Sequence, residues 1–251
     1  MIALNDISRF EVQSTSAGDG YCLLFGQAFI QIQRHPNEWR AEYSYGEPAR
    51  ENGWIQFGEL NTSRLIMNAD DCTLKLTPKL ANRPIVVRPL TTVEIPAGKR
   101  ATLYISTILW LEIIVNDTPL LELPAVRLSD TWFGPNTREG ELCYASNTRA
   151  RLNPKLLETA PYKALTPVEI NNRGSKKLSL ERLKVPVPAL SLLENEGDYW
   201  TSGLQASIET ELNSAKIKID YHPPASTTPI AAPRQPPEKG VLHRALNLFL
   251  E

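Results

Sequence analysis

Through most of the chain, apolar and polar positions alternate with a period of two, the pattern of half-buried strands. Residues 85–95, IVVRPLTTVEI, are rich in β-branched side chains, and Pro96-Ala97-Gly98-Lys99 follows as a turn signal. Over 101–106, Leu103 and Ile105 take one face while Thr102, Tyr104 and Ser106 take the other, and 110–115 continues in the same style. Residues 22–32, 54–57 and 73–76 also read as strands. A second set begins after Tyr144. Residues 167–170 alternate and run into Asn171-Asn172-Arg173-Gly174, a loop whose residues tolerate positive φ. Leu178 and Leu180 alternate with Ser179 and Glu181, Pro186 and Pro188 suit an edge strand, and 204–212 with 216–221 form a closing pair. One short helical start is predicted at 153–158, with Asn153 as cap and Pro154 in the first helical position. Short strands, many turns and few helices predict an all-β fold. The expected arrangement is two packed antiparallel β-sandwich-like domains, 1–128 and 129–221.

The prolines change that picture at the C-terminal end. Six of the 20 fall within residues 222–238, HPPASTTPIAAPRQPPE. This run is short of backbone donors and has little to bury, so it is predicted to be an extended linker. Its 17 residues could span on the order of 50 Å at ~3.1 Å per residue. Beyond it, residues 239–251 place Val241, Ala245 and Leu248, then Leu242, Leu246 and Phe249, at helical spacing. The expectation is a short amphipathic helix whose apolar stripe folds back on its own body or docks on another protein.

Composition narrows the function classes. The 251 residues carry 27 Lys+Arg against 28 Asp+Glu, a balance that argues against a general nucleic-acid binder. The most apolar run, 108–115, contains Glu112 and is far shorter than a membrane-spanning helix, so no direct membrane span is expected. The N-terminal residues lack a basic segment followed by an apolar one. Cys22, Cys72 and Cys143 are widely spaced, which points to free thiols and a cytoplasmic protein.

The search for chemistry returns one dense segment. His35, His222 and His243 do not cluster, and no nucleophile, phosphate-loop or dinucleotide motif occurs. No catalytic residue, metal ligand or cofactor is therefore expected. Within SDTWFGPNTREGELCYASNTRARL, residues 129–152, the candidate ligand-binding residues are Asp130, Trp132, Arg138, Glu139, Glu141 and Arg149. If 139–146 is a strand, Glu139, Glu141 and Cys143 share a face, with arginines near enough to offset the two carboxylates. The competing reading is a structural salt-bridge network anchored by Trp132 and Phe133. Cys143 has no histidine nearby in sequence and reads as a buried, inert thiol. Of the five tryptophans most are expected in the core, with Trp39, Tyr43 and Tyr45 as the more exposed aromatics.

The segments RPLTTVEIPAGKRATLYISTILWLEI, LPAVRLSDTWFGPNTREGELCYASNTRARL and YKALTPVEINNRGSKKLSLERLKVPVPALSLLENEGDYWTSGL resemble the domain-of-unknown-function 432 family of archaea and bacteria. The similarity covers most of residues 20–220, leaving the Pro-rich run and the terminal segment outside. The resemblance carries no activity and no catalytic residues. Members of that family are often encoded beside small-conductance mechanosensitive channel proteins, so the resemblance implies a channel-associated role. The expectation is thus a non-enzymatic binding or accessory module. Its Val241, Leu242, Ala245, Leu246, Leu248 and Phe249 would dock on a protein partner or a second copy. The alternatives are a small-ligand-binding protein or enzyme using the charged 130–151 segment, and a carbohydrate-binding sandwich.

Overall fold

The computed structural model describes residues 2–3, 11–14, 17–46, 49–51, 54–56, 60–67, 71–134, 138, 140–209, 214–220, 227–236, 242–243 and 246–248. These residues are almost entirely strand, as the alternation requires. The chain divides into two compact units. The first is 1–79 with 108–127, and the second is 80–107 with 128–251. The sequence pattern draws one cut between 128 and 129, whereas the observed division is discontinuous, with 80–107 going to the second unit. Periodicity reports which residues face a core, but not which core.

In the first unit, one sheet is built from antiparallel neighbours Gly20–Phe25, Ala28–His35, Glu38–Tyr45 and Asn61–Ile66. A second sheet joins Glu11–Ser14, Cys72–Lys79, Trp110–Val115 and Thr118–Pro124. Leu23, Phe25, Ile30, Ile32, Leu74 and Leu76 are buried along their strands, every second residue as a pleated, one-sided strand demands. Two side chains tie the sheets together. Tyr45 Oη donates to Pro124 O at 2.8 Å and Ser63 Oγ to Leu120 O at 2.5 Å. Between Phe25 and Ala28 the chain turns at Gly26, with φ of 62°. A Cβ there would lie 2.5 Å from Ala125 O, so both the conformation and the close approach require glycine.

The second unit has a long sheet that includes Lys163–Asn172, Gly203–Glu209 and Ser214–Asp220, and a six-stranded sheet that holds the candidate site. Across the six-stranded sheet, Val93–Ile95 and Ile85–Pro89 lie along one side of Leu178–Val185, followed by Glu141–Ala150 and then Ser129–Phe133. Several sheets are antiparallel as expected, but Ile85–Pro89 runs parallel to Glu141–Ala150, and Lys163–Asn172 parallel to Gly203–Glu209. The helical start at Asn153 is a single 3-10 turn, Pro154–Leu156, capped by Asn153 Oδ1 accepting from Lys155 N at 3.0 Å. The loop at 171–174 is anchored by buried Asn172, whose Nδ2 donates to Ile95 O and Lys176 O and whose Oδ1 accepts from Gly174 N.

The C-terminal expectations need correction. Within the run predicted as a free linker, Thr228–Ala231 is a strand paired antiparallel with Leu192–Asn195. Arg234 Nε donates to Leu80 O at 2.6 Å, and Gln235 N to Pro188 O at 3.0 Å. Pro229 sits in a sheet-edge strand, a position that tolerates a missing donor. Where the amphipathic helix is expected, the described residues are two short strands. Leu242–His243 pairs with Ser214–Asp220, and Leu246–Leu248 pairs with the free side of Leu178–Val185. Leu242, Leu246 and Leu248 therefore lie in strands, while Val241, Ala245 and Phe249 are outside the described residues. Unsatisfied strand edges offer a short apolar segment more backbone hydrogen bonds than an isolated helix near the nucleation limit can make within itself.

Candidate functional site

Three neighbouring strands of the six-stranded sheet each present one arginine to the same cavity of about 300 Å³: Arg182, Arg88 and Arg149. Arg88 and Arg149 are direct register partners. Val87 pairs with Leu183, so one step further along that antiparallel register Arg182 comes opposite Arg88. The three arginines thus stand in a row across the strands. Thr131, Ser146 and Thr148 line the same space, with Val86 and Ala145, and no carboxylate lines it among the described residues.

An irregularity in Glu141–Ala150 builds this row. Ile85 pairs with Tyr144 and Val86 with Ala145, a register that would bring position 147 opposite Arg88. Two extra residues are accommodated before the pairing resumes, and Arg149 arrives there instead. Local bonds hold the bulge. Thr148 N donates to Ser146 Oγ at 3.2 Å, Ser146 Oγ donates to Thr148 O at 3.1 Å, and Thr148 Oγ1 donates to Ser106 O at 2.9 Å. An insertion of two keeps Arg149 on the face of Ala145 and moves it along the strand.

At one end of the row the floor is apolar. Val86, Phe133 and Cys143 form a buried cluster. The Arg182 guanidinium lies 5.2 Å from the Phe133 ring centroid and the Lys184 ammonium 6.0 Å, contacts that orient both cations. Lys184 Nζ also pairs with Glu141 Oε2 at 2.6 Å, so that carboxylate serves the lysine. Cys143 is fully buried. Desolvation first, and the Glu141 charge second, push its thiol up to about 11. A thiol in that state supplies almost no thiolate at neutral pH, in keeping with an inert core residue.

The expected site residues are divided by the pleat. Glu141 and Arg149 are on the face of the arginine row, with Thr131 and Phe133. Asp130 and Trp132 alternate to the opposite face. There Asp130 pairs with Arg83 at 3.3 Å, and Arg83 also lies over the Tyr144 ring at 5.2 Å. Trp132 is 38% exposed and stands opposite Leu142, itself 41% exposed, with its indole against Gly140. Arg138 is exposed in a turn, and Glu139 lies outside the described residues. Of the six, Arg149 alone lines the cavity. Arg88 and Arg182 were not singled out from sequence. For Arg88 the signal is a lone charge inside the apolar strand IVVRP, whereas Arg182, between Glu181 and Lys184 in LERLKV, carries no such signal.

The other cavities are of a different character. One of about 230 Å³ is lined largely by apolar groups, including Pro154, Leu157, Leu165, Tyr199 and Trp200. Its Lys163 is already bonded to Glu158 at 2.8 Å. For a carbohydrate platform, two coplanar exposed aromatic rings are needed. Trp39 and Trp110 are buried, and Trp39, expected among the exposed aromatics, is 1% exposed beneath the Arg34 guanidinium. Tyr43 and Tyr45 meet edge to face at 82° and leave no shared plane. All three cysteines are free thiols. No group of acidic, cysteine or histidine side chains suited to a metal ion occurs among the described residues. No helix among them is long and apolar enough to cross a membrane.

A family model described as a protein of unknown function, DUF432, matches residues 10–250. The match takes in the Pro-rich run and the terminal strands, which the resemblance read from sequence left outside. No curated protein and no solved structure matches the chain.

Proposed function

From the premise that the chain belongs to the DUF432 family, whose description assigns no activity, we propose that it is a non-enzymatic binding module. It takes an anionic ligand on the row formed by Arg182, Arg88 and Arg149. The observation that carries this reading is the convergence of three guanidinium groups on one cavity with no carboxylate in its lining among the described residues. Like charges directly opposite on neighbouring strands repel, so the Arg88–Arg149 pair costs stability unless a counter-ion compensates it. Guanidinium forks recognise carboxylate and phosphate oxygens bidentately and keep their protons at neutral pH. The cavity is therefore equipped to hold an anion, and among the described residues its lining holds no carboxylate, histidine, lysine or cysteine that would exchange a proton with it. The buried Cys143 thiol adds no nucleophile.

A second reading keeps the docking of the C-terminal segment on a protein partner, including the channel role implied by the resemblance; the strands Thr228–Ala231, Leu242–His243 and Leu246–Leu248 pair within the same chain, which favours the arginine row. The test is thermal unfolding of the full chain in sodium phosphate and in sodium chloride at matched ionic strength. Binding to the native state raises Tm with ligand concentration. Phosphate is expected to raise Tm above chloride, and Arg149→Gln to abolish that difference. Equal phosphate shifts in the parent and Arg149→Gln proteins would remove the site.

A further inference from the structure

We infer that the apolar cavity of about 230 Å³ in the second unit is a further binding site, for an uncharged molecule of one-ring size that carries a single hydrogen-bonding oxygen. It shares no lining residue with the arginine cavity, so the inference goes beyond the anion reading and does not depend on it.

The pleat sets the floor. Thr107, Thr166 and Thr201 join in a buried hydroxyl ladder: Thr166 Oγ1 lies 2.7 Å from Thr107 Oγ1 and accepts from Thr201 Oγ1 at 3.0 Å. Their chain neighbours Ser106, Leu165 and Trp200 alternate to the opposite face, where all three line the cavity. Leu165 and Trp200 are direct register partners. Residues 154–160 supply the other wall. A bridge between Tyr104 and Arg151 holds the start of this segment to the strand of Ser106, and Lys163 Nζ pairs with Glu158 Oε2 at 2.8 Å at its far end.

The ligand class follows from what the lining offers. Ser106 is 4% exposed, and its Oγ has no hydrogen-bond partner among the described residues. A buried hydroxyl without a partner forfeits a hydrogen bond, which a ligand oxygen restores. Around it Pro154, Leu157, Leu165 and Trp200 give an apolar surround. The charged groups of the lining balance: Lys155 and Lys163 stand against Glu158 and Asp198, with Lys163 and Glu158 already joined. No net charge is left to meet an ion, and burying one there without a counter-charge is costly. An apolar cavity of ~150 Å³ holds a benzene ring, so the volume here takes one ring with a short substituent.

The test is calorimetric titration of the full chain with benzyl alcohol, ethylbenzene and benzoate, which share the ring and differ in the head. Benzyl alcohol is expected to bind about tenfold more tightly than benzoate. Ser106→Ala removes only the unpartnered hydroxyl. It is expected to weaken benzyl alcohol about fivefold and to leave ethylbenzene unchanged, a cycle that isolates the hydrogen bond. Ala160→Trp, in the partly exposed wall, is expected to abolish binding of both with an unchanged circular dichroism spectrum. Arg149→Gln is expected to leave all the affinities as in the parent. Tighter benzoate binding overturns the uncharged class, and a Ser106→Ala effect equal for alcohol and hydrocarbon overturns the hydrogen bond. Failure of all three probes to bind, unaltered binding in Ala160→Trp, or loss of binding in Arg149→Gln overturns the site.

Discussion

Each unit places arginines opposite one another on neighbouring strands, and the two units neutralise them differently. In the first unit Arg40 and Arg64 are register partners. Glu38, on the same face, bonds both: its Oε1 accepts from Arg40 at 3.0 Å and its Oε2 from Arg64 Nε at 2.8 Å. Arg64 first, and Arg40 with it, hold the Glu38 carboxyl below its ordinary value despite the opposing effect of desolvation. In the second unit Arg88 and Arg149 are register partners with Arg182 alongside, and the cavity they line has no carboxylate among the described residues. The same cross-strand motif is thus closed by an internal counter-ion in one unit, while in the other it lines a space of ligand size. An arginine pair is informative about binding when the structure supplies room and positive charge together and withholds the acid.

The comparison can be sharpened first by giving the second unit what the first already has. Arg88→Glu places a carboxylate directly opposite Arg149, as Glu38 supplies one to Arg40 and Arg64 from the same face. Phosphate affinity is expected to fall by about 100-fold, near 2.8 kcal/mol, by isothermal titration. Retained affinity would show that the row does not hold the anion.

The reverse change opens the first unit. Glu38→Gln leaves Arg40 and Arg64 facing each other without their carboxylate, and Tm at pH 7 is expected to drop, more so at low ionic strength. The folded-state value of Glu38 lies below its ordinary 4.5. Its contribution is therefore fully present above 4.5 and is lost as pH falls through the lower folded value. The Tm gap between parent and variant should close in acid. A gap that persists below that range would mean the glutamate acts through packing.

The smallest effect is on the empty site. Arg88→Gln relieves the like-charge contact and is expected to stabilise the anion-free protein by about 0.2–1 kcal/mol, read as a higher urea midpoint in chloride buffer. A lower midpoint would show that Arg88 is held by favourable contacts and needs no ligand.

Much of the β architecture was legible from alternation. The faces of Leu103 and Ile105, the turn at Gly98 and the cap at Asn153 all depend on residues adjacent in sequence, where propensity and side-chain period act directly. The site was only partly legible. Arg149 could be singled out because charged residues crowd around it, but Asp130 and Trp132 crowd there too, and the pleat sends them to the other face. Arg88 and Arg182 stand 94 positions apart in sequence, and no local pattern relates them.

By itself the sequence determined that this chain makes strands, which residues alternate toward a core, and that its three thiols stay unpaired. Tertiary structure decided which strands are neighbours, which run parallel, and which unit residues 80–107 join, because period two is the same in every pairing and direction. It also placed Leu242–His243 and Leu246–Leu248, within a run of helical spacing, on strands, since open sheet edges offer backbone partners that a short isolated helix cannot match. The arginine row belongs wholly to this second class. It exists because a two-residue bulge, invisible to periodicity, slides Arg149 into line with Arg88.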